Sequence, residues 1–76
     1  MITVKLYGLM RVESGIRELQ IEADTIKTMY AQLQAAGLNK QDLNGCYVLC
    51  NGKPAARTIR FKHGDLVQLL PPVAGG

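Results

Sequence analysis

Between Ile26 and Leu33 the apolar residues keep helical spacing, and on both sides of that stretch they recur with the period of a strand. Ile26, Met29, Tyr30 and Leu33 fall at i, i+3, i+4 and i+7, which puts them on one stripe of a helix. Before it, Ile2, Val4 and Leu6 alternate with Thr3, Lys5 and Tyr7, and Leu19 and Ile21 alternate with Glu18, Gln20 and Glu22. After it, Cys46-Tyr47-Val48-Leu49-Cys50 and Leu66 to Leu70 are short apolar runs of strand length. One helical stripe and several half-buried strands cover one another if the helix lies across one face of a single sheet. That constraint sets the fold class: α+β, two layers, with one main helix.

The punctuation places the boundaries. Asp24 and Thr25 supply N-cap oxygens, so the helix is predicted from about Thr25 to Ala36. Gly37 is its stop, with Leu38 placed for the apolar contact of a helix-ending motif. Gly8 breaks the first strand and Gly15 closes a short connection, which predicts a β-hairpin between the first two strands. Asn51-Gly52 is a two-residue hairpin signal because both turn positions require positive φ. A return segment over about Lys53 to Ala56 follows, then a turn at His63-Gly64-Asp65 and a last strand over Leu66 to Leu70. Pro71 and Pro72 end it, since neither can donate a ladder hydrogen bond. A helix crossing from an opening hairpin to later strands gives a β-grasp roll with a mixed sheet, its first and last strands parallel neighbours at the centre.

The 76 residues suffice for one domain, spanning 1–76, and hydrophobic residues at 47% support a core without metal or disulfides. No apolar run approaches the ~20 residues of a membrane span, and the opening reads as strand rather than leader, so a soluble, cytoplasmic protein is expected. Cys46 and Cys50 would lie roughly 13 Å apart on one extended strand, beyond disulfide reach and on the same face. With His63 they do not make a zinc site by spacing alone, and core packing is the plainer reading; no metal site is expected.

The net charge is +3, and the only basic concentration is Lys53, Arg57, Arg60, Lys62 and neighbouring His63. Phe61 alone interleaves as an aromatic and no nucleic-acid motif is present, so this is read as a solvated face or a surface for an acidic partner protein. Charged side chains stop at Asp65; Leu66 to Gly76 carry none.

That uncharged end carries the chemistry. Pro71-Pro72 fixes φ and directs the chain away from the sheet as an extended, flexible tail over 71–76. Val73 and Ala74 are small and apolar, and Gly75 and Gly76 have no side chains, so the segment suits a narrow tunnel in another protein. A terminal carboxylate on Gly76 needs activation before it can be acylated onto anything. ATP converts a carboxylate to an acyl adenylate, which sulfide or an enzyme persulfide can attack, leaving a thiocarboxylate. The chain has no phosphate-binding Gly-rich loop with Lys and no Ser/His/Asp or Cys/His constellation, so the catalytic groups are expected on partners.

The segment Phe61-Lys62-His63-Gly64-Asp65-Leu66-Val67-Gln68-Leu69-Leu70-Pro71-Pro72-Val73-Ala74-Gly75-Gly76 resembles the C-terminus of the MoaD/ThiS sulfur carriers, most of all the MoaD branch, the small subunits of molybdopterin synthase. The opening Val4-Lys5-Leu6-Tyr7-Gly8-Leu9-Met10-Arg11 and the Asn51-Gly52 turn fit as well. The resemblance implies a ubiquitin-like β-grasp. It implies that Gly76 is adenylated by a MoeB-type adenylyltransferase using ATP, with no cofactor bound by the carrier itself. It further implies that the resulting thiocarboxylate supplies the dithiolene sulfur of the molybdenum (or tungsten) pterin cofactor, the tail being inserted into a MoaE-like large subunit. Such a chain is a non-catalytic carrier subunit. Val67, Leu69, Pro71, Pro72, Val73, Ala74 and Gly75 are the candidate partner contacts, with Gly76 the attachment point. The departures are Leu66, where such carriers commonly have an acidic residue, the basic net charge, and the two cysteines. Two alternatives stay open: a carrier for the thiamine thiazole or another product, and a ubiquitin-like modifier or interaction module.

Overall fold

The computed structural model describes residues 1–72. Its elements in chain order are β1 (Ile2–Leu6), α1 (Gly8–Ser14), β2 (Glu18–Ile21), α2 (Ile26–Ala35), α3 (Lys40–Asn44), β3 (Tyr47–Cys50), β4 (Lys53–Pro54) and β5 (Leu66–Leu70). The strands form one mixed sheet in the order β2-β1-β5-β3-β4. β1 runs antiparallel to β2 and parallel to β5, and β3 runs antiparallel to both β5 and β4. The expected α+β, β-grasp architecture is borne out, with the first and last strands side by side and β5 at the centre.

Register decides which side chains make the core. In the parallel pair Val4 stands opposite Val67 and Leu6 opposite Leu69, so the inward positions of both strands share one face. Ile2, Val4, Leu6, Val67 and Leu69 are all buried there, and Met29 and Leu33 of α2, Leu43 of α3 and Met10 of α1 join the same cluster. Each such side chain contributes about 1.5–3 kcal/mol of burial, and α2 is held mainly by this face rather than by intrinsic propensity.

Both ends of α2 follow from local chemistry. Thr25 Oγ1 accepts from the Thr28 amide at 3.1 Å, and Thr28 Oγ1 accepts from the Thr25 amide at 3.0 Å, a reciprocal cap. At the other end Gly37 adopts φ 106. Its N–H donates to Gln34 O at 2.9 Å, and the Leu38 N–H donates to Leu33 O at 3.0 Å. That is the paired closure which a left-handed residue permits, with Leu38 and Leu33 both buried behind it.

Two helices depart from the sequence reading. The connection between β1 and β2, expected as a short hairpin link, is helix α1, although the two strands do pair antiparallel. Only Met10 of α1 is buried, while Leu9 and Val12 are exposed, so no apolar stripe announces it. α3 is a five-residue helix capped by Asn39, whose side chain accepts from the Gln41 amide at 2.7 Å. Cys46 falls just before β3 instead of within it.

The hairpin forms at Asn51 (φ 52) and Gly52 (φ 84), with Cys50 opposite Lys53. Asp65 ties this hairpin to the start of β5. Its carboxylate accepts from Asn51 Nδ2 at 3.0 Å and from the Lys62 amide at 2.8 Å, and Asn51 Oδ1 accepts from the Leu66 amide at 3.0 Å. The Lys62 amide first, and then the Asn51 side chain, hold the Asp65 carboxyl below the usual carboxylate range.

Candidate functional site

β5 ends where the tail begins, and the two prolines meet two glycines there. Pro71 is half-buried against Gly8, the first residue of α1; a Cβ at Gly8 would lie 2.6 Å from Pro71 Cγ. Gly8 also has φ 68, a conformation that L side chains resist. Pro72 is exposed, and a Cβ at Gly45 would stand 4.0 Å from its Cγ. The tail root thus sits between the starts of two chain segments, one following β1 and one following α3. Sequence reading took Gly8 only as a strand breaker; its spatial role depends on the parallel β1–β5 pairing, which brings the ends of those two strands together.

Among the predicted site residues, Pro71 and Pro72 occupy this root. Val73, Ala74, Gly75 and Gly76 lie outside the described residues. Val67 and Leu69 do not face a partner: both are 0% exposed in the core. Their expected contact role is corrected by the phase of β5, whose inward positions are 67 and 69 and whose half-buried outward positions are Leu66, Gln68 and Leu70. On that outward face Gln68 Nε2 donates to the Tyr7 hydroxyl at 2.9 Å. Tyr47, paired with Leu70 in the ladder, is 61% exposed. Tyr7, Leu70 and Tyr47 are therefore the partly apolar surface that leads to the tail root. Gln68, polar between Val67 and Leu69, was the one cue to the phase of β5 in the sequence.

The cysteines pack, half-buried, against the core. The Cys46 thiol donates to Asp42 O at 3.0 Å, and burial followed by the Asp42 charge pushes its pKa up. Cys50 donates to the Asp65 carboxylate at 3.5 Å, and burial followed by the Asp65 charge pushes it up likewise. Raised pKa values leave both as thiols near neutral pH, the wrong state for a nucleophile or a metal ligand. The basic residues of the 53–63 region do not form one patch. Arg60 reaches Asp24 at 3.4 Å, His63 Nδ1 accepts from the Met1 amino group at 2.8 Å, and Arg57 faces a different region beside Tyr30. No helix among the described residues is long and apolar enough to cross a membrane.

At the described end of the chain Pro71 is packed against the first residue of α1. The ThiS family model matches residues 4–76. Among solved structures, a chain in the complex of subunits 1 and 2 of molybdopterin-converting factor from Helicobacter pylori 26695 superposes with a TM-score of 0.75 at 29% identity, covering 99% of this chain and 97% of that one. SAMP1 from Haloferax volcanii superposes with a TM-score of 0.75 at 25% identity, covering 99% and 98%. Urm1 from Sulfolobus solfataricus, at 17% identity and a TM-score of 0.66 over 92% and 99%, shares the fold. No curated protein matches the chain. The kinship read from the tail and the opening strand is borne out, and the chain belongs to the ThiS family of ubiquitin-like sulfur carriers.

Proposed function

We propose that this carrier is loaded at Gly76 and delivers its sulfur to the dithiolene of the molybdopterin cofactor. The observation that carries the proposal is that the family match runs through residue 76, across a tail whose root packs Pro71 against Gly8. The structural likeness to a chain of a molybdopterin-converting factor complex favours this acceptor over others.

In the proposed cycle the Gly76 carboxylate attacks ATP on a MoeB-type partner, forming an acyl adenylate and releasing pyrophosphate. Sulfide adds to the acyl carbon and AMP leaves, giving the thiocarboxylate. The chain's own contribution is positional. Pro71 against Gly8 fixes the direction of the root, and glycine at 75 and 76 lets partner backbone close on the reacting carbonyl. The outward surface of Tyr7, Tyr47 and Leu70 is where a MoaE-like subunit or the activating enzyme docks while it takes the tail.

Intact mass spectrometry tests this. The protein is incubated with a MoeB-type enzyme, ATP and sulfide, then cleaved after Lys62. The C-terminal peptide His63–Gly76 contains no methionine, so an oxygen-for-sulfur mass change there is not confounded by oxidation of Met1, Met10 or Met29. An ATP-dependent, alkylation-sensitive change is expected; its absence with a competent enzyme overturns the proposal. Transfer to a pterin precursor, rather than to a thiazole precursor, then identifies the acceptor. The likeness to SAMP1 makes a modifier the second reading, which isopeptide adducts to target lysines would support.

A further inference from the structure

An open groove of about 1130 Å³ lies between α2 and the β3–β4 edge and reaches Tyr47 and Leu70 of the outward surface described above. Its floor is apolar: Ile26 and Ala31 from α2 on one side, Val48 from β3 and Ala55 after β4 on the other. Its rim is cationic. Lys27, Lys40 and Arg57 line it, all three exposed, and no Asp or Glu is among the lining residues. None of the three is in an ion pair among the described residues; the ion pairs there involve the Met1 amino group, Lys5 and Arg60. Arg57 and Tyr30 line the same groove. The groove also reaches Leu70, two residues from Pro72, so it opens beside the tail root.

We infer that this groove receives an extended segment of a partner protein in which apolar residues alternate with Asp or Glu. An extended chain sends successive side chains to opposite sides, so apolar groups can meet the floor while carboxylates turn up to the rim. Charge complementarity selects the acidic class: three cations without an ion pair among the described residues attract carboxylates and repel basic segments, whereas a neutral segment gains only uncharged partners such as the amides of Gln34 and Asn44. A nucleic acid fits less well, because its phosphates would match the rim but nothing in it matches an aliphatic floor. The inference rests on the carrier proposal only in that a partner engaging the tail is already adjacent to the groove. The groove's own properties do not depend on what Gly76 carries.

The test uses the full chain, isotopically labelled, and a probe peptide of about ten residues alternating Leu or Val with Asp or Glu. Amide shift changes are expected at α2 residues 26–34, at Val48 and at Ala55, with affinity falling several-fold as salt rises from low to physiological levels. The triple charge reversal Lys27→Glu, Lys40→Glu and Arg57→Glu keeps the fold, since all three side chains are exposed, and is expected to weaken binding at least tenfold. Deleting Gly76 is expected to leave peptide binding unchanged while abolishing sulfur loading, which separates failure of this inference from failure of the carrier proposal. The inference is overturned if the peptide does not bind, if the shifts map to the Tyr7–Gln68 face, if the reversal leaves affinity intact, or if a single-stranded oligonucleotide outcompetes the peptide.

Discussion

Pro71 lies so close to Gly8 that a single added methyl group on Gly8 would stand 2.6 Å from the proline Cγ. The position of Pro71 is therefore tied to a residue sixty-odd positions earlier, through the parallel pairing of β1 with β5. Gly8→Ala adds left-handed strain of about 1–2 kcal/mol and also pushes the tail root. Gly15→Ala is the matched control, since Gly15 has φ 73 and nothing within 4 Å of a Cβ. Gly8→Ala should lose more thermal stability than Gly15→Ala, because it adds the clash with Pro71 to the same strain, and only Gly8→Ala should slow sulfur loading, by roughly ten- to a hundredfold. Melting curves with the C-terminal peptide mass assay check this; equal loading rates would assign Gly8 to turn geometry alone.

Leu69 and Leu70 are neighbours in sequence with opposite consequences. Leu69→Ala should cost about 2–5 kcal/mol because the side chain is fully buried at the sheet centre. Leu70→Ala should cost about 1 kcal/mol and instead weaken docking of the tail-binding partner. Chemical denaturation and partner affinity, measured on both variants, separate the two.

Asp65 makes stability depend on acid. Its folded carboxyl titrates below the ordinary value of 3.8, chiefly through the Lys62 amide. The stabilisation is therefore present above that ordinary value and is lost as pH falls through the lowered folded value. Asp65→Asn should flatten the acid limb of the stability profile below about pH 4, and reduce stability at neutral pH by about 1 kcal/mol. Denaturation midpoints across pH decide it; an unchanged acid limb would show that Asp65 is not the responsible group.

Cys46→Ser with Cys50→Ser should leave sulfur loading at the wild-type rate. Each serine keeps a donor toward Asp42 O or Asp65 but removes apolar volume packed against the core, so a loss of roughly 1 kcal/mol per site is expected. Loss of loading without loss of stability would give the thiols a chemical role.

What the sequence disclosed, it disclosed through local chemistry. α2 was legible because Thr25 and Gly37 mark its ends and four apolar residues keep helical phase between them. The Asn51-Gly52 hairpin and β5 were legible for similar reasons. α1 was hidden because its apolar residues point mostly outward, Leu9 at 67% and Val12 at 73% exposure, the reverse of the expected pattern. α3 is too short to show periodicity and left only Asn39 and Gly45 as cues. At the site, the prolines were visible and the Gly8 that Pro71 packs against was not, since that match exists only after the chain's first and last strands come together. Val67 and Leu69 were misread because Leu66 and Leu70 make the outward face of β5 nearly as apolar as the inward one, leaving Gln68 as the single cue until the register with Val4 and Leu6 is known.

The placement of β5 also has a mechanical side. It is bonded along both edges, to β1 on one and β3 on the other. A tug on Pro71 acts along the strand axis, so the hydrogen bonds of two ladders bear the load together in shear instead of opening one by one from an end. If a partner pulls on the tail as proposed, the body of the molecule serves as a handle that does not unravel.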